Sequence, residues 1–423
     1  MTTATDFADV PKEDINPFDP EVLKCPFHYN KKLREEAPVY QDSHTGIFMV
    51  SSYELAAQVV KDHVNFSNKF GAAMRGSSIA TVPEEIAEIQ KEGWPAIDTM
   101  LTQDQPEHTR YRGLVSPAFS QKRITDIIPY MYEVANNIVD QFIDKGECEF
   151  LHDFAIPLPL TLIASQLGVP LEDMPKFRHW TECFVAQLSQ MADKETQIEA
   201  AKGVVEFQKY FHAKLEETRA NPTDNILSDI VNARIEGERP LDDPECLSIL
   251  QQLLVAGNET TASALTEGMY QLAKHPDQAE LARNDSSLIP GLVEEVLRFT
   301  TPTANMWRVV LNDTEVGGMM IPKGAITMVR YKAANADDIQ FENADQFDIT
   351  RKNARRHIAF GQGIHMCPGA NLARKDMQIG FEVLLKRLDN IRLNVDEDSL
   401  VHPPNVLLYG LQQLPIAFDK RTV

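Results

Sequence analysis

Cysteine is scarce in this chain of 423 residues, and its five cysteines are widely scattered. They are Cys25, Cys148, Cys183, Cys246 and Cys367. No two of them share a Cys-x-x-Cys spacing, and an odd number cannot all pair with one another. The sequence therefore disfavours both a disulfide framework and a zinc site, and it suits a reducing cytoplasm.

Long apolar runs and an excess of basic residues are also lacking. No stretch approaches the roughly twenty consecutive apolar residues that cross a bilayer. The first ten residues have neither the basic segment nor the apolar core of a signal peptide, so we expect no membrane anchor. Lys and Arg number 41 against 62 Asp and Glu, which gives a net charge of −21. Such an acidic chain is not expected to bind nucleic acid or anionic membranes.

Internal repeats and linkers rich in glycine and serine are absent, so one large domain is the simplest organisation. We expect it to cover residues 21–423, after an N-terminal extension over residues 1–20 that is expected to be flexible. Apolar periodicity predicts a mainly α-helical protein with small β-sheets.

Local patterns predict several elements of this helical protein. Helices are expected at 26–36 and at Tyr53–Lys61, with strands at Val39–Gln41 and 47–50 between them. A long helix is predicted over Asp243–Lys274, since its first residues are an N-capping Asp and a Pro. The tail over 403–418 alternates like a β-hairpin.

The most informative segment reads FGQGIHMCPG, from Phe360 to Gly369. Its first two glycines allow a tight loop in which a flat ligand can approach the backbone. Cys367 follows where a helix is predicted to begin, with Pro368 at its first position. Free N–H groups and the positive end of a helix dipole favour thiolate over thiol, and a thiolate is a good axial ligand for haem iron.

The pattern Phe-Gly-x-Gly-x-His-x-Cys-x-Gly, continued by Leu-Ala-Arg, resembles the haem-binding signature of the cytochrome P450 haem-thiolate monooxygenases. A lone cysteine is most often a small buried hydrophobe, but the agreement at many flanking positions favours the iron ligand here. The resemblance covers nearly the whole chain. It implies the triangular fold of that family, haem b with Cys367 as axial ligand, and the soluble bacterial, cytoplasmic kind of enzyme.

A second motif lies in the predicted long helix, where Ala-Gly-Asn-Glu-Thr-Thr is similar to the family's oxygen-activating motif. The resemblance makes Thr260 the catalytic alcohol and Glu259 the acid that resupplies its proton. Ala256 and Gly257 would make room beside the cofactor. Alone, Thr260 would be read as a packing residue and Glu259 as a solvated charge.

Further residues take roles from the resemblance. Glu295 and Arg298 match the family's Glu-x-x-Arg element, and Arg351 would complete a buried structural triad that supports the cysteine loop. The donors expected at the haem carboxylates are His108, Arg112, Arg308 and His365. The alternative for each of these four residues is a surface ion pair or, for a histidine, a side chain whose hydrogen bonds are made within the protein. Phe360, Gly361 and Gly369 would surround the cofactor in the loop.

The substrate pocket is expected from regions that line it in the family. Its predicted lining is Phe70, Met74, Met100, Leu188, Leu253, Ala304, Asn305 and Leu407. Most of these side chains are apolar, which favours a hydrophobic substrate, although each taken singly is more often ordinary core.

The function implied is insertion of one oxygen atom from O2 into a C–H bond, with electrons from a separate ferredoxin and ferredoxin reductase. Alternatives are a peroxide-driven haem-thiolate oxidase and a non-catalytic haem sensor. Basic residues gather near the cysteine loop, at Arg351, Lys352, Arg355, Arg356, Arg374 and Lys375. Such a patch can dock an acidic ferredoxin, unless its arginines serve structure or the haem carboxylates. A monomer is the expected state.

Overall fold

The computed structural model describes residues 10–71, 83–188 and 193–421, apart from the side chains of Val185 and Leu188. The predicted Met74 lies outside the described residues. The helices are α1 Pro20–Lys24, α2 Phe27–Glu36, α3 Tyr53–Lys61, α4 Glu84–Gln90, α5 Glu107–Val115, α6 Gln121–Asp140, α7 Pro157–Gln166, α8 Met174–Leu188, α9 Lys194–Ala220, α10 Ile226–Val231, α11 Asp243–Lys274, α12 Pro276–Asn284, α13 Ile289–Thr300, α14 Tyr331–Ala334 and α15 Ala370–Arg387. The strands are β1 Val39–Gln41, β2 Phe48–Val50, β3 Phe66–Ser67, β4 Glu147–Glu149, β5 Met306–Val310, β6 Thr314–Val316, β7 Met319–Ile321, β8 Ile326–Val329, β9 Leu388–Leu393 and β10 Pro415–Lys420.

The predicted class, mainly α-helical with small sheets, is confirmed. The helices α3 and α11 and the strand β1 begin and end at the predicted residues, and α2 and β2 differ by one residue at their starts.

Backbone contacts divide the chain into two compact units. Unit 1 consists of Met1–Phe70, Ile128–Leu158 and Thr260–Val423, and unit 2 consists of Gly71–Ile127 and Pro159–Glu259.

Unit 1 contains all the described strands. A five-stranded sheet has the order β1-β2-β8-β5-β3, in which only β2 and β8 run parallel. The second sheet has the order β4-β10-β9, and β6 and β7 form a two-stranded ribbon.

Side chains alternate between the two faces of a strand. Both faces of the five-stranded sheet are covered, each by its own apolar cluster. On β2, Phe48 and Val50 pack into one apolar cluster that includes Val59 and Val60 of α3. Met49, between them, belongs to the cluster on the other face with helices α1 and α2. Residues before α1 join this second cluster. Ile15 is fully buried, and Phe18 stacks on Trp307 with ring centroids 6.4 Å apart.

Unit 2 is helical, and aromatic side chains hold α8 against α9. Trp180 and Phe184 of α8 meet Phe207 of α9 edge-on, at centroid distances of 5.9 Å and 4.9 Å. Each such pair adds about 0.5–1.5 kcal/mol beyond the area it buries. A Cβ on Gly203 would lie 2.3 Å from Cys183 Sγ, so the two helices approach closely because this residue has no side chain.

Two local predictions are wrong. The tail over 403–418 forms no hairpin; instead Tyr409 N–H donates to Pro302 O, and Leu407 O accepts from Ala304 N–H. Adjacent prolines at 403 and 404 supply no N–H for a ladder, so the segment pairs with a neighbouring loop. The helix after the cysteine begins at Ala370, and Pro368 lies in the preceding turn.

No helix in the described ranges is long and apolar enough to cross a membrane.

Candidate functional site

The cysteine loop of unit 1 is a tight turn closed by its own backbone. Cys367 N–H donates to Phe360 O at 2.9 Å, and a 3-10 turn occupies Gly363–His365. The carbonyl of Cys367 accepts from Ala370 N–H at 3.4 Å, at the first residue of α15. The cysteine therefore lies three residues before the helix, and the loop presents it at the N-terminal end.

The two loop glycines are required by conformation and by space. Gly361 and Gly363 have φ of +66° and +72°, a region that side chains rarely adopt. A Cβ on Gly363 would lie 3.0 Å from Val60 O, against the end of α3. The loop thus fits its surroundings only with glycine at these positions.

Cys367 differs from the buried cysteines in its surroundings. Burial raises the pKa of Cys148 and of Cys246 to about 12, so both remain protonated thiols at neutral pH. Cys367 is half-buried. Among the described residues no group of three His, Cys, Asp or Glu side chains could hold a metal ion.

Glu295, Arg298 and Arg351 meet as a buried triad in unit 1. Arg298 donates two hydrogen bonds, of 2.7 Å and 2.8 Å, to the Glu295 carboxylate, and both side chains are fully buried. Arg351 Nε donates to the same carboxylate at 3.1 Å. Arg298 also donates to Asn335 O and Ala344 O, so the triad fixes the chain that leads to the cysteine loop.

A second charge cluster, which we did not predict, lies beside the triad on α13. Glu294 accepts from Arg374 Nε at 2.7 Å and contacts His357 Nε2 at 3.1 Å. Burial opposes ionisation of Glu294, but hydrogen bonds from His357 and Arg374 outweigh it and lower its pKa to about 2. Arg374 lies over the Phe360 ring, 4.6 Å from its centroid. The cluster therefore joins α13 to both ends of the cysteine loop.

Only a weak sequence signal pointed to this second cluster. Glu294 precedes the Glu-x-x-Arg acid directly, and His357 lies three residues before the loop. The sequence is compatible with either a surface patch or a structural role for Arg374, and its side chain is only 14% exposed.

Arg308 reaches the other side of the loop from β5. It is buried, and its Nη1 donates to Trp307 O at 2.7 Å. Its guanidinium also interacts with the Tyr331 hydroxyl; burial still raises the pKa of Tyr331. A Cβ on Gly361 would lie 3.4 Å from that hydroxyl, so Tyr331 connects Arg308 with the loop. His365 is half-buried in the 3-10 turn.

On α5 in unit 2, His108 and Arg112 are four residues apart and share one helix face. His108 is buried and Arg112 is half-buried.

The helix α11 contains the second motif. Ala256 and Gly257 are exposed, and a Cβ on Gly257 would meet no heavy atom of the described residues within 4 Å. A Cβ on Gly268 of the same helix would lie 2.5 Å from Phe381 Cζ. Close packing therefore accounts for a glycine at position 268 but not for the glycine at position 257.

Glu259 is a poorly solvated acid on this helix. Burial raises its pKa to about 7, and its Oε2 has no hydrogen-bond partner in the described part of the chain. A carboxyl group with this pKa exchanges a proton near neutral pH, as a general acid does. Thr260, the next residue, is half-buried.

The predicted pocket residues divide between the units. In unit 1, Ala304 N–H donates to Leu407 O at 2.8 Å, and Asn305 Nδ2 donates to Val406 O at 2.5 Å. Phe70 packs against the apolar cluster of α1 and α2. Met100 and Leu253 are buried in unit 2. The side chain of the predicted Leu188 lies outside the described residues.

Comparison with known proteins gives consistent results. The family model described as "Cytochrome P450" matches residues 172–408. A "Steroid C26-monooxygenase" of Mycobacterium tuberculosis (strain CDC 1551 / Oshkosh) is 32% identical over 386 residues, which is 91% of this chain and 98% of that protein.

Solved structures are similar over nearly the whole chain. The structure of cytochrome P450 CYP109Q5 from Chondromyces apiculatus has a TM-score of 0.85 at 31% identity, and it covers 98% of this chain and 100% of its own. The structure of CYP109E1 from Bacillus megaterium, in complex with testosterone, has a TM-score of 0.79 at 28% identity, with 95% and 99% covered.

Proposed function

Since the chain belongs to the cytochrome P450 family, whose members bind haem through a cysteine thiolate, we propose that it inserts one oxygen atom of O2 into a C–H bond of a hydrophobic small molecule. As a P450 monooxygenase it is an oxidoreductase. The observation that carries the proposal is the loop that presents Cys367 beside α15, with glycine required at two positions.

The residues present fit a haem. Cys367 would supply the thiolate ligand. A Cβ on Gly257 would meet no heavy atom of the described residues within 4 Å, so packing does not account for this glycine and a role beside the cofactor would. Phe360, Gly361, Gly369 and Ala256 would border the ring. When bound, haem supplies the iron at which O2 is activated.

Four side chains would bind the haem carboxylates: His108, Arg112, Arg308 and His365. Arg308 supports this role because it is buried and its guanidinium has no carboxylate within 4.0 Å among the described residues. A buried guanidinium is stabilised by an anionic partner, and a carboxylate matches its geometry.

Glu259 and Thr260 would deliver protons. With a pKa of about 7, Glu259 can hold a proton at neutral pH and release it to the Thr260 hydroxyl or to ordered water. The burial that raises this pKa also limits access of bulk water, which would otherwise exchange protons with the site directly.

Electrons would come from a separate ferredoxin and its reductase, since the family depends on redox partners. A steroid or a similar apolar molecule is the first substrate class to test, because one similar protein is a steroid C26-monooxygenase and another has a structure in complex with testosterone.

The test is the carbon-monoxide difference spectrum of the reduced, haem-loaded protein. The unsubstituted protein should show the long-wavelength Soret band of a thiolate ligand, and Cys367→Ser should lose it while haem remains bound. Cys25→Ser, another half-buried cysteine, is the matched control and should keep the band. An unchanged spectrum in Cys367→Ser would show that another group binds the iron.

A further inference from the structure

A small cavity of about 20 Å³ in unit 1 is lined by polar side chains from several segments. The polar residues are Asn30, Asn305, Arg330, Lys332, Asn405 and Tyr409, and the apolar residues Val22, Leu23, Pro26 and Ala304 complete the lining. A volume of this size has room for one water molecule or one monatomic ion.

Two of the lining residues are buried cations. Arg330 and Lys332 are 4% and 5% exposed. In the described ranges no carboxylate oxygen lies within 4.0 Å of either cationic group. Removing a charge from water costs several kcal/mol unless a partner compensates for it, so two such cations side by side require an explanation.

The hydrogen-bond and ring partners of Lys332 are neutral, although the Glu267 carboxylate, more than 4.0 Å away, raises its pKa against the effect of burial. Its Nζ donates to Thr300 O at 2.6 Å, and it lies 3.8 Å from the Tyr409 ring centroid and 5.1 Å from that of Phe27. An ammonium group has three N–H donors, and the aromatic rings accept weakly. These contacts stabilise the cation but do not neutralise it.

Arg330 is also bound by neutral groups. One Nη donates to Asn30 Oδ1 at 2.5 Å and the other to Met49 Sδ at 3.1 Å. Its Nε has no acceptor within the described residues. A guanidinium has five N–H donors, so most of them are not used by these partners.

The amides around the cavity add further donors. Asn30 accepts from Arg330 through Oδ1, and Asn405 accepts from the backbone N–H groups of Leu407 and Leu408 at 2.8 Å and 3.0 Å. In both side chains the oxygen is occupied, and the NH2 group is left to donate. Asn305 is the exception, since its Nδ2 donates to Val406 O. The lining still offers mainly donors, so it suits a ligand that only accepts hydrogen bonds.

We propose that this cavity binds one monatomic anion of the halide class, chloride in the cell, between Arg330 and Lys332. Sulfate and phosphate are too large for the cavity. The proposal does not depend on the haem reaction, although the cavity shares Asn305 with the predicted substrate lining. Burial lowers the pKa of Lys332 to about 8 and that of Arg330 to about 10, and a bound anion would counteract both shifts by stabilising the charged forms.

The first test measures the thermal unfolding midpoint of the haem-loaded protein while chloride or bromide replaces gluconate at constant ionic strength. A ligand that binds only the folded state raises the midpoint with its concentration. We expect this rise in the unsubstituted protein and its loss in Lys332→Met. Lys323→Met, which removes an exposed lysine of unit 1, should keep it.

The second test is a crystal structure in bromide, where anomalous scattering identifies the ion. One peak between Arg330 and Lys332 is expected. The proposal would be overturned by an unfolding midpoint that does not change with halide concentration, or by a rise in the midpoint that persists in Lys332→Met. Water instead of bromide in the cavity would overturn it as well. If Lys332→Met fails to fold, the bromide crystal of the unsubstituted protein decides alone. An unchanged Soret band during the titration would show that the halide does not act at the haem iron.

Discussion

At the scale of residues, two consecutive acids of α13 divide the support of the cysteine loop between them. Glu295 binds Arg298 and Arg351, which fix the backbone before the loop. Glu294 binds His357 and Arg374, which contact the Phe360 ring. Because neighbouring helix residues point in directions about 100° apart, one helix can reach both groups.

The first prediction removes the charge of Glu295. Glu295→Gln keeps the shape of the side chain but leaves Arg298 and Arg351 as buried cations beside a neutral amide. Breaking a buried ion pair costs about 3–5 kcal/mol, so we expect a fall of that size in the free energy of unfolding, together with loss of haem. Urea unfolding and haem content per chain measure the two effects.

The control for this variant is Asp144→Asn, which breaks the exposed ion pair with Lys420. Exposed pairs contribute little, so the control should unfold at the same urea concentration as the unsubstituted protein. Equal unfolding of Glu295→Gln and Asp144→Asn would show that the triad does not stabilise the fold.

The second prediction concerns pH and Glu294. Its pKa is lowered to about 2 from an ordinary value of 4.5, so the folded state favours the ionised carboxylate. This contribution is fully present above about pH 4.5 and is lost as the pH falls towards 2. The stability difference between the unsubstituted protein and Glu294→Gln should therefore shrink between pH 5 and pH 2.5. Denaturant unfolding across that range measures it, and a constant difference would contradict the assigned pKa.

Arg374 shows what the sequence alone could not reveal. A run of basic residues near the loop predicts either a surface patch or structural roles for its arginines. Arg374 takes a structural role, because it pairs with Glu294, 80 positions away in the chain. Local patterns carry no information about which distant acid folds against a given arginine. In contrast, the glycines of the loop were predictable, because their conformational requirement is local.

At the scale of elements, α11 was the most predictable part of the chain. Its bounds follow from an N-terminal Asp-Pro and sustained apolar periodicity, both of which are local signals. The prediction of a hairpin in the tail was wrong because its signal does not specify a partner. An alternating pattern is compatible with pairing to any extended segment, and here the tail pairs with the loop at Pro302.

The third prediction belongs to α11. Thr260→Ala should keep haem and substrate binding but divert electrons from product to hydrogen peroxide, because the proposed proton relay loses its hydroxyl. The measurement is peroxide and product formed per reducing equivalent consumed, with saturating substrate.

Thr266→Ala is the matched control on the same helix. The Thr266 hydroxyl donates its hydrogen bond within the helix, to Ala262 O at 2.8 Å. Removing this hydroxyl should therefore not change the ratio of product to peroxide. Unaltered coupling in Thr260→Ala would remove this residue from the relay.

At the scale of the whole molecule, charge distribution governs the encounter with a redox partner. A net charge of −21 repels an acidic ferredoxin at long range, so docking requires a local positive surface. The structure reduces the predicted patch, since Arg351 and Arg374 are engaged by the two acids of α13. Lys375 is half-buried, so the exposed remainder is Lys352, Arg355 and Arg356.

The last prediction reverses part of this remainder. Arg355→Glu combined with Arg356→Glu should raise KM for an acidic ferredoxin on the order of tenfold and leave kcat with saturating ferredoxin unchanged, because charges at an interface rim act mainly on association. Steady-state turnover against ferredoxin concentration measures both constants. Lys323→Glu makes the same kind of charge change at another exposed site and should have a smaller effect.

Salt separates this docking role from a general effect of net charge. At physiological ionic strength, charges more than about 8 Å apart are largely screened, so added salt should raise KM of the unsubstituted protein and narrow its difference from the double variant. A difference that persists in high salt would indicate that the reversal disturbed the cysteine loop itself. Equal KM values for the double variant and Lys323→Glu would place the ferredoxin on another face.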